Sequence, residues 1–289
     1  MPELIIVGGG PAGLTAAVYA VRRRLDVLLL SPELGGKTRY PPSLPWGEEH
    51  RVIRGGELVG RFLRELEYLQ FAHRLAAVET IAAAAGEAAA GAPGAAPGGF
   101  RVRLAGATEI TARAVILATG CEARRLGVPG EKELFQRGLY GSATSYAHLF
   151  LDKEVLVLGG GPRAHRAAAE LAASGARVHR LEQGERLTAL RGEPGAPEAV
   201  LAGPAGRTRT LRVDGVFNEE EPRPNSALVT GLAELDADGY VRVDARCRTS
   251  CPGLFAAGDV TAVHREQILV AVGEGAKACL SALEFLEGI

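Results

Sequence analysis

Glycine leaves the backbone free to turn and open to close approach, and its spacing in this sequence marks two places suited to holding a phosphate. An apolar run at 4–7 leads into Gly8-Gly9-Gly10-Pro11-Ala12-Gly13. In a G-x-G-x-x-G set between a strand and a helix, Gly8 permits the sharp turn out of the strand. Gly10 lets main-chain N–H groups approach a pyrophosphate at the helix N-terminus, and Gly13 lets helix and strand pack closely. Glu33, twenty residues beyond Gly13, has the spacing of an acid that hydrogen-bonds a ribose hydroxyl. After the apolar residues 155–158 the pattern returns as Gly159-Gly160-Gly161-Pro162-Arg163-Ala164, with alanine in the third position. The chemistry implied by the first set is dinucleotide binding, and the second repeats its spacing.

The elements that must position these turns flank them. A helix is expected from the first turn through Val21, closed by Arg22-Arg23-Arg24, whose charge suits a helix C-terminus, and a second strand at 26–30. The second turn is followed by an alanine-rich helix to about Ser174 and a strand at 176–181. These are two βαβ openings. Between strand-like 78–81 and 100–104, residues 82–99 are almost only Ala, Gly and Pro, which reads as a flexible hairpin tip or insertion. Leu58, Phe62, Leu63, Leu66 and Leu69 recur at helical spacing over 57–69, an apolar face for either the core or a partner subunit.

The remaining composition mostly excludes. At roughly 150 residues per domain, 289 residues make about two domains. Lys+Arg 33 against Asp+Glu 34 leaves a net charge of -1, no footprint for nucleic acid or an anionic membrane. No apolar run reaches the ~18 residues of a membrane span, and Met1-Pro2-Glu3 runs into the first strand without a basic leader, so the expected location is cytoplasmic. Cys121, Cys247, Cys251 and Cys279 are too scattered for a disulfide framework or a metal-ligand set. On a strand, Cys247 and Cys251 would stand about 13 Å apart, beyond disulfide reach.

The N-terminal glycine set, Gly35-Gly36-Lys37 after the second strand, Ala118-Thr119-Gly120 after 115–117, the internal G-x-G-x-x-A and Thr249-Ser250-Cys251-Pro252-Gly253-Leu254-Phe255-Ala256-Ala257-Gly258-Asp259 form an ordered series. Over nearly the whole chain that series resembles the low-molecular-weight thioredoxin reductase family. The resemblance implies an α/β fold of two Rossmann-like dinucleotide-binding domains, the second inserted into the first. The FAD-binding domain would comprise 1–120 and 246–289, and the pyridine-nucleotide domain 121–245. FAD contacts are implied at Gly8, Gly10, Pro11, Ala12, Gly13, Glu33, Gly36, Lys37, Val78, Thr119, Gly120, Gly258, Asp259, Gln267 and Ile268. Asp259 would accept from a ribityl hydroxyl, and the helix opening near Gln267 would aim its positive end at the flavin N1–C2=O edge. His264, beside Arg265 and Glu266, faces either that edge or solvent. A homodimer joined mainly through its FAD domains is also implied.

The departures from the family pattern narrow the function. Where the family carries C-A-T-C-D-G, this chain has Ser142-Ala143-Thr144-Ser145-Tyr146-Ala147. A hydroxyl forms neither a disulfide nor a flavin adduct, so Ser142 and Ser145 are expected only to preserve the loop. Tyr146, with a phenol pKa of about 10, stands in place of the family's acid. Gly159, Gly161 and Ala164 keep the second turn. His179-Arg180 keeps half of the basic pair for an adenosine 2′-phosphate, but Leu181 and Glu182 follow. Residues 186–212 read as short pieces broken by Gly and Pro, and Glu219-Glu220-Glu221 as a solvated turn that disfavours an anionic cofactor nearby. The expectation is an FAD-dependent oxidoreductase without a dithiol, making doubtful use of NAD(P)H through Gly159, Gly161, Ala164 and Arg180. It would exchange electrons with an electron-transfer protein or small molecule; the competing reading is a non-catalytic flavoprotein.

Overall fold

A computed structural model of the chain describes residues 1–40, 43, 55–68, 73–84, 98–262 and 266–288. In chain order the elements are β1 (Leu4–Gly9), α1 (Pro11–Arg22), β2 (Val27–Leu34), α2 (Gly55–Tyr68), β3 (His73–Leu75), β4 (Val78–Ala83), β5 (Phe100–Leu104), β6 (Glu109–Ala112), β7 (Ala114–Leu117), β8 (Cys121–Glu122), α3 (Glu131–Leu134), β9 (Leu139–Tyr140), α4 (Ala143–Tyr146), β10 (Glu154–Leu158), α5 (Pro162–Ala173), β11 (Arg177–Arg180), β12 (Arg186–Glu193), β13 (Ala196–Ala202), β14 (Thr208–Arg212), β15 (Gly215–Asn218), β16 (Arg223–Pro224), β17 (Leu254–Ala256) and α6 (Ile268–Glu287). They form two compact units, the first from Met1–Arg39, Arg54–Glu122 and Arg223–Ile289, the second from Tyr40–Ile53 and Ala123–Pro222.

The first unit is built on a five-stranded parallel sheet of order β17-β7-β1-β2-β3. Because side chains alternate along a strand, Leu4 and Ile6 of β1 enter one apolar layer with Leu14 and Val18 of α1 and Ala278 and Ala282 of α6. Ile5 and Val7 enter the other, with Phe100, Val102, Val241 and Leu254. Both faces are covered, which is why the strand reads as an unbroken apolar run. The strands expected around 78–81 and 100–104 pair antiparallel as β4 and β5, with Ala82 and Ala83 inside the ladder; 85–97 lie outside the described residues. In α2, Leu66 is buried and Phe62 and Leu63 pack against the α1 layer, so these three join the unit's own core, while Leu69 lies outside the described residues. The chain returns to the first unit at Arg223 rather than at 246, because Val229 and Val241 are buried in its second apolar layer.

The second unit repeats the plan in a four-stranded parallel sheet, β11-β10-β15-β9. Val155 and Val157 pack on Ala164, Ala167 and Leu171 of α5 together with Tyr140, Phe150 and Phe217. Leu156 and Leu158 face Leu190, Ala199 and Leu201. The expectation of broken pieces over 186–212 is corrected: β12, β13 and β14 form a regular antiparallel sheet. Pro194 and Gly195 are the hairpin turn between the paired Glu193 and Ala196, with Gly195 at φ +82°, so the residues that look like breaks are the connection itself.

Gly215 begins β15 beneath this aromatic layer, and a β-carbon there would stand 2.6 Å from a ring carbon of Phe150 and 3.3 Å from Tyr140. Gly215→Ala is therefore expected to destabilise the protein by about 1–3 kcal/mol through overpacking. The effect should appear as a lower urea midpoint; an unchanged midpoint would show that Phe150 moves aside freely.

Candidate functional site

The first glycine turn is shaped by contacts that leave no room for side chains. Gly8 has φ +116°, and a β-carbon on it would lie 2.3 Å from the Ala118 carbonyl oxygen; one on Gly13 would lie 1.8 Å from the Gly8 oxygen. The start of α1 is thereby pressed onto the ends of β1 and β7. Gly10 differs, since a β-carbon on it would meet nothing within 4 Å. Gly10 is extended, carries no side chain that could cap α1, and precedes Pro11 at the first helical position. A helix start in this state is an anion-binding position, combining main-chain donors with the positive end of the helix dipole.

The end of β2 closes over the turn. Gly9 N–H donates to Ser31 Oγ at 2.9 Å, Gly35 N–H donates to the Gly9 oxygen at 2.7 Å, and a β-carbon on Gly36 (φ +53°) would lie 3.2 Å from the Gly10 Cα. On the other side, Gly258 donates to the Glu274 carboxylate at 2.7 Å, and a β-carbon on it would lie 3.1 Å from the Ala12 methyl. Thr119 is tied to Asn225, whose carbonyl accepts from the Thr119 hydroxyl at 2.8 Å and whose amide donates to the Thr119 oxygen at 3.0 Å. Glu33 is exposed and paired with Arg39, Val78 opens β4 within the second apolar layer, and Gln267 and Ile268 start α6. His264 lies outside the described residues.

Lys37 joins residues far apart in sequence. Its ammonium donates to Asp259 at 2.8 Å, to Glu266 at 2.9 Å and to Cys121 Sγ at 3.0 Å. Burial works against its charge, but the two carboxylates and the cysteine overcome that, and the pKa is raised. Burial pushes the Cys121 thiol up to about 12 against the opposing pull of Lys37. The potential metal donors Cys121, Asp259 and Glu266 lie within 4.8 Å of one another, with the ammonium already hydrogen-bonded to all three. The sequence singles out Lys37 and Asp259; Cys121, Glu266, Asn225 and Glu274 have no local signal, because long-range packing brings them in.

In the second unit Ser142 Oγ accepts the Ser145 N–H at 3.2 Å and so caps α4, while the two hydroxyls are 3.0 Å apart. Tyr146 stands beside the Tyr140 ring. The expectation of a solvated acidic turn is corrected at its first member. Glu219 is 3% exposed, accepting the Ala143 N–H at 2.6 Å and Arg163 Nε at 2.7 Å. The sequence hides this because the partners come from α4 and α5. His179 hydrogen-bonds Glu154, whose carboxyl is held below its usual range by Arg177 first and then His179. Arg180 donates to the Gly159 oxygen at 3.0 Å, and Glu182 is exposed.

Compared with known proteins, the chain matches the family described as pyridine nucleotide-disulphide oxidoreductase over residues 2–197 and 204–275. It belongs to that family. The chain is 34% identical over 314 residues to a thioredoxin reductase of Mycolicibacterium smegmatis, covering 98% of this chain and 96% of that protein. It is 33% identical over 310 residues to an alkyl hydroperoxide reductase subunit of Pseudomonas putida, covering 98% of this chain but only 58% of that longer protein. The crystal structure of thioredoxin reductase from Streptococcus pyogenes superposes with a TM-score of 0.85 at 26% identity, over 100% of this chain and 99% of that one. The protein thus has the thioredoxin reductase-like Rossmann fold of an FAD-dependent oxidoreductase family. No described helix is long and apolar enough to cross a membrane.

The first turn fits the pyrophosphate of a dinucleotide such as FAD, because the space a side chain on Gly10 would take is open and the capping position before the helix donors holds no side chain. Gly10→Leu is therefore expected to leave the fold intact, since its β-carbon meets no protein atom, yet to weaken FAD binding at least about a hundredfold. Flavin absorbance after gel filtration reads the loss. A yellow Gly10→Leu protein would remove this turn as the binding position.

Proposed function

We propose that the protein is an FAD-binding oxidoreductase that passes electrons directly between its flavin and a partner, a ferredoxin, a flavodoxin or a small molecule, with no dithiol relay and weak or no use of NAD(P)H. The observation that carries this reading is the Ser142–Ser145 pair: at the positions that the family resemblance assigns to redox cysteines stand two hydroxyls, that of Ser142 capping α4 through the Ser145 N–H and donating to that of Ser145. No described cysteine replaces them. All four are free, and burial raises the pKa of each, to about 12 for Cys121 and Cys279 and about 11 for Cys247. A protonated, buried thiol is a poor nucleophile.

The roles of the residues follow from the first unit. Gly8, Gly10, Pro11, Ala12 and Gly13 present the helix start to the pyrophosphate; Glu33, Gly36, Lys37, Val78, Thr119, Gly120, Gly258, Asp259, Gln267 and Ile268 complete the FAD contacts. Bound FAD supplies the redox chemistry, accepting electrons singly or in pairs. Lys37, held by Asp259 and Glu266, keeps a positive charge at this end of the sheet. The same reading makes the protein a cytoplasmic homodimer. The second glycine turn, where Glu221 accepts the Arg163 N–H, supports a second reading, a binding module in which FAD is structural.

Anaerobic reduction of the FAD-loaded protein separates the two. Two equivalents of reduced ferredoxin are expected to bleach one flavin rapidly, while NADPH and NADH act slowly, at millimolar apparent affinity and with little discrimination. A flavin that none of these donors reduces would favour the structural role. Rapid bleaching by micromolar NADPH would return the protein to the ordinary reductases. Ser142→Cys with Ser145→Cys is expected not to create NADPH-dependent thioredoxin reduction, and fast turnover in that variant would show a working nucleotide site.

A further inference from the structure

The two glycine turns are one backbone built twice. Gly8 and Gly159 have φ of +116° and +115°, and Gly10 and Gly161 are both extended (ψ -176° and -180°), each ahead of a proline that opens a helix of 12 residues. Two such ends should offer an anion the same donors and the same dipole. They differ in what already stands there. At α1 a β-carbon on Gly10 would meet nothing within 4 Å. At α5 the Glu221 carboxylate accepts the Arg163 N–H at 3.2 Å, and its Oε1 lies 3.0 Å from where a β-carbon on Gly161 would be.

Glu221 is carried to this place by a buried anchor. Two residues earlier, Glu219 binds Arg163 Nε and the Ala143 N–H, and Arg163 Nη2 also donates to the Gly141 oxygen at 3.1 Å. The Glu219 carbonyl oxygen itself lies 2.8 Å from a β-carbon placed on Gly159, so the strand end sits directly against the turn. Glu219 and Arg163 fix the segment, while Glu221 is exposed and held at its tip.

We infer that Glu221 is a built-in substitute for a dinucleotide pyrophosphate, closing the second glycine turn to NADH and NADPH alike. An incoming pyrophosphate finds a donor taken and a like charge in its path, and must displace the carboxylate. Both nicotinamide nucleotides share the pyrophosphate, so the exclusion does not depend on the 2′-phosphate. The inference deepens the reading of weak NAD(P)H use given above and rests on it only for that nucleotide.

The test is calorimetric titration of the FAD-loaded full chain with NADH, NADPH and ADP-ribose, comparing wild type with Glu221→Gln, Glu221→Ala and the control Glu220→Gln. The control removes a neighbouring charge whose cationic partner is Arg124, 3.8 Å away. Wild type is expected to bind all three at millimolar dissociation constants or weaker. Both Glu221 variants should bind all three about tenfold more tightly or better, roughly what removing one like-charge contact of about 1.4 kcal/mol gives, and Glu220→Gln should match wild type. Micromolar binding by wild type, no gain in the Glu221 variants, or an equal gain in Glu220→Gln would each overturn the inference. Flavin absorbance in the same samples reports separately on the FAD reading: a colourless protein would defeat that reading while leaving the nucleotide titration interpretable.

Discussion

A helix that starts directly from a strand end points its first N–H groups at one spot, and the rest of each unit is arranged around holding that spot in place. The close approach is possible only because Gly8 and Gly13 carry no side chain. The other side of α1 is equally constrained, since a β-carbon on Gly275 of α6 would lie 2.1 Å from the Ala12 oxygen. The helix is gripped between the sheet and α6 by contacts between main chains, and tolerances are set by backbone rather than by rotamers. In the second unit α5 rests instead on an aromatic layer, with Tyr140, Phe150 and Phe217 at centroid separations of 5.0–5.7 Å.

The chemistry available to the protein is limited as much by where its thiols are as by where they are missing. Cys279 lies wholly buried in the layer between α6 and the sheet, and Cys247 donates to the Glu274 carbonyl oxygen at 3.7 Å. Cys121 has a cation beside it, which in an open setting would favour the thiolate, but burial outweighs that attraction. The ammonium is shared with two carboxylates that claim most of its charge. A thiol beside a lysine is activated only when that lysine has nothing better to neutralise.

What can be read from the sequence is local. The strand, glycine turn and helix at 4–22, their repetition at 154–173, and the pairing of 78–81 with 100–104 follow from spacing within a few residues, and the structure contains them. The three-stranded sheet over 186–212 escapes such reading because Pro194 and Gly195 interrupt a strand in sequence while joining two strands in space. Glu219 escapes it for the opposite reason. Three adjacent acids look solvated, and nothing nearby announces that Arg163 and the Ala143 N–H will bury one of them. Lys37, Cys121, Asp259 and Glu266 meet only once the sheet has assembled, so no window along the chain contains the cluster.

The contrast between an open helix start in one unit and a filled one in the other also bears on how each is kept folded. A carboxylate supplied by the chain is always present at fixed effective concentration, so α5 and the loop beneath it draw the same stabilisation whatever the surroundings. The open end of α1 gains stability from what occupies it, as the logarithm of free ligand over its dissociation constant. On the proposed reading, with FAD as that ligand, flavin supply would add to the stability of the first unit without adding to that of the second.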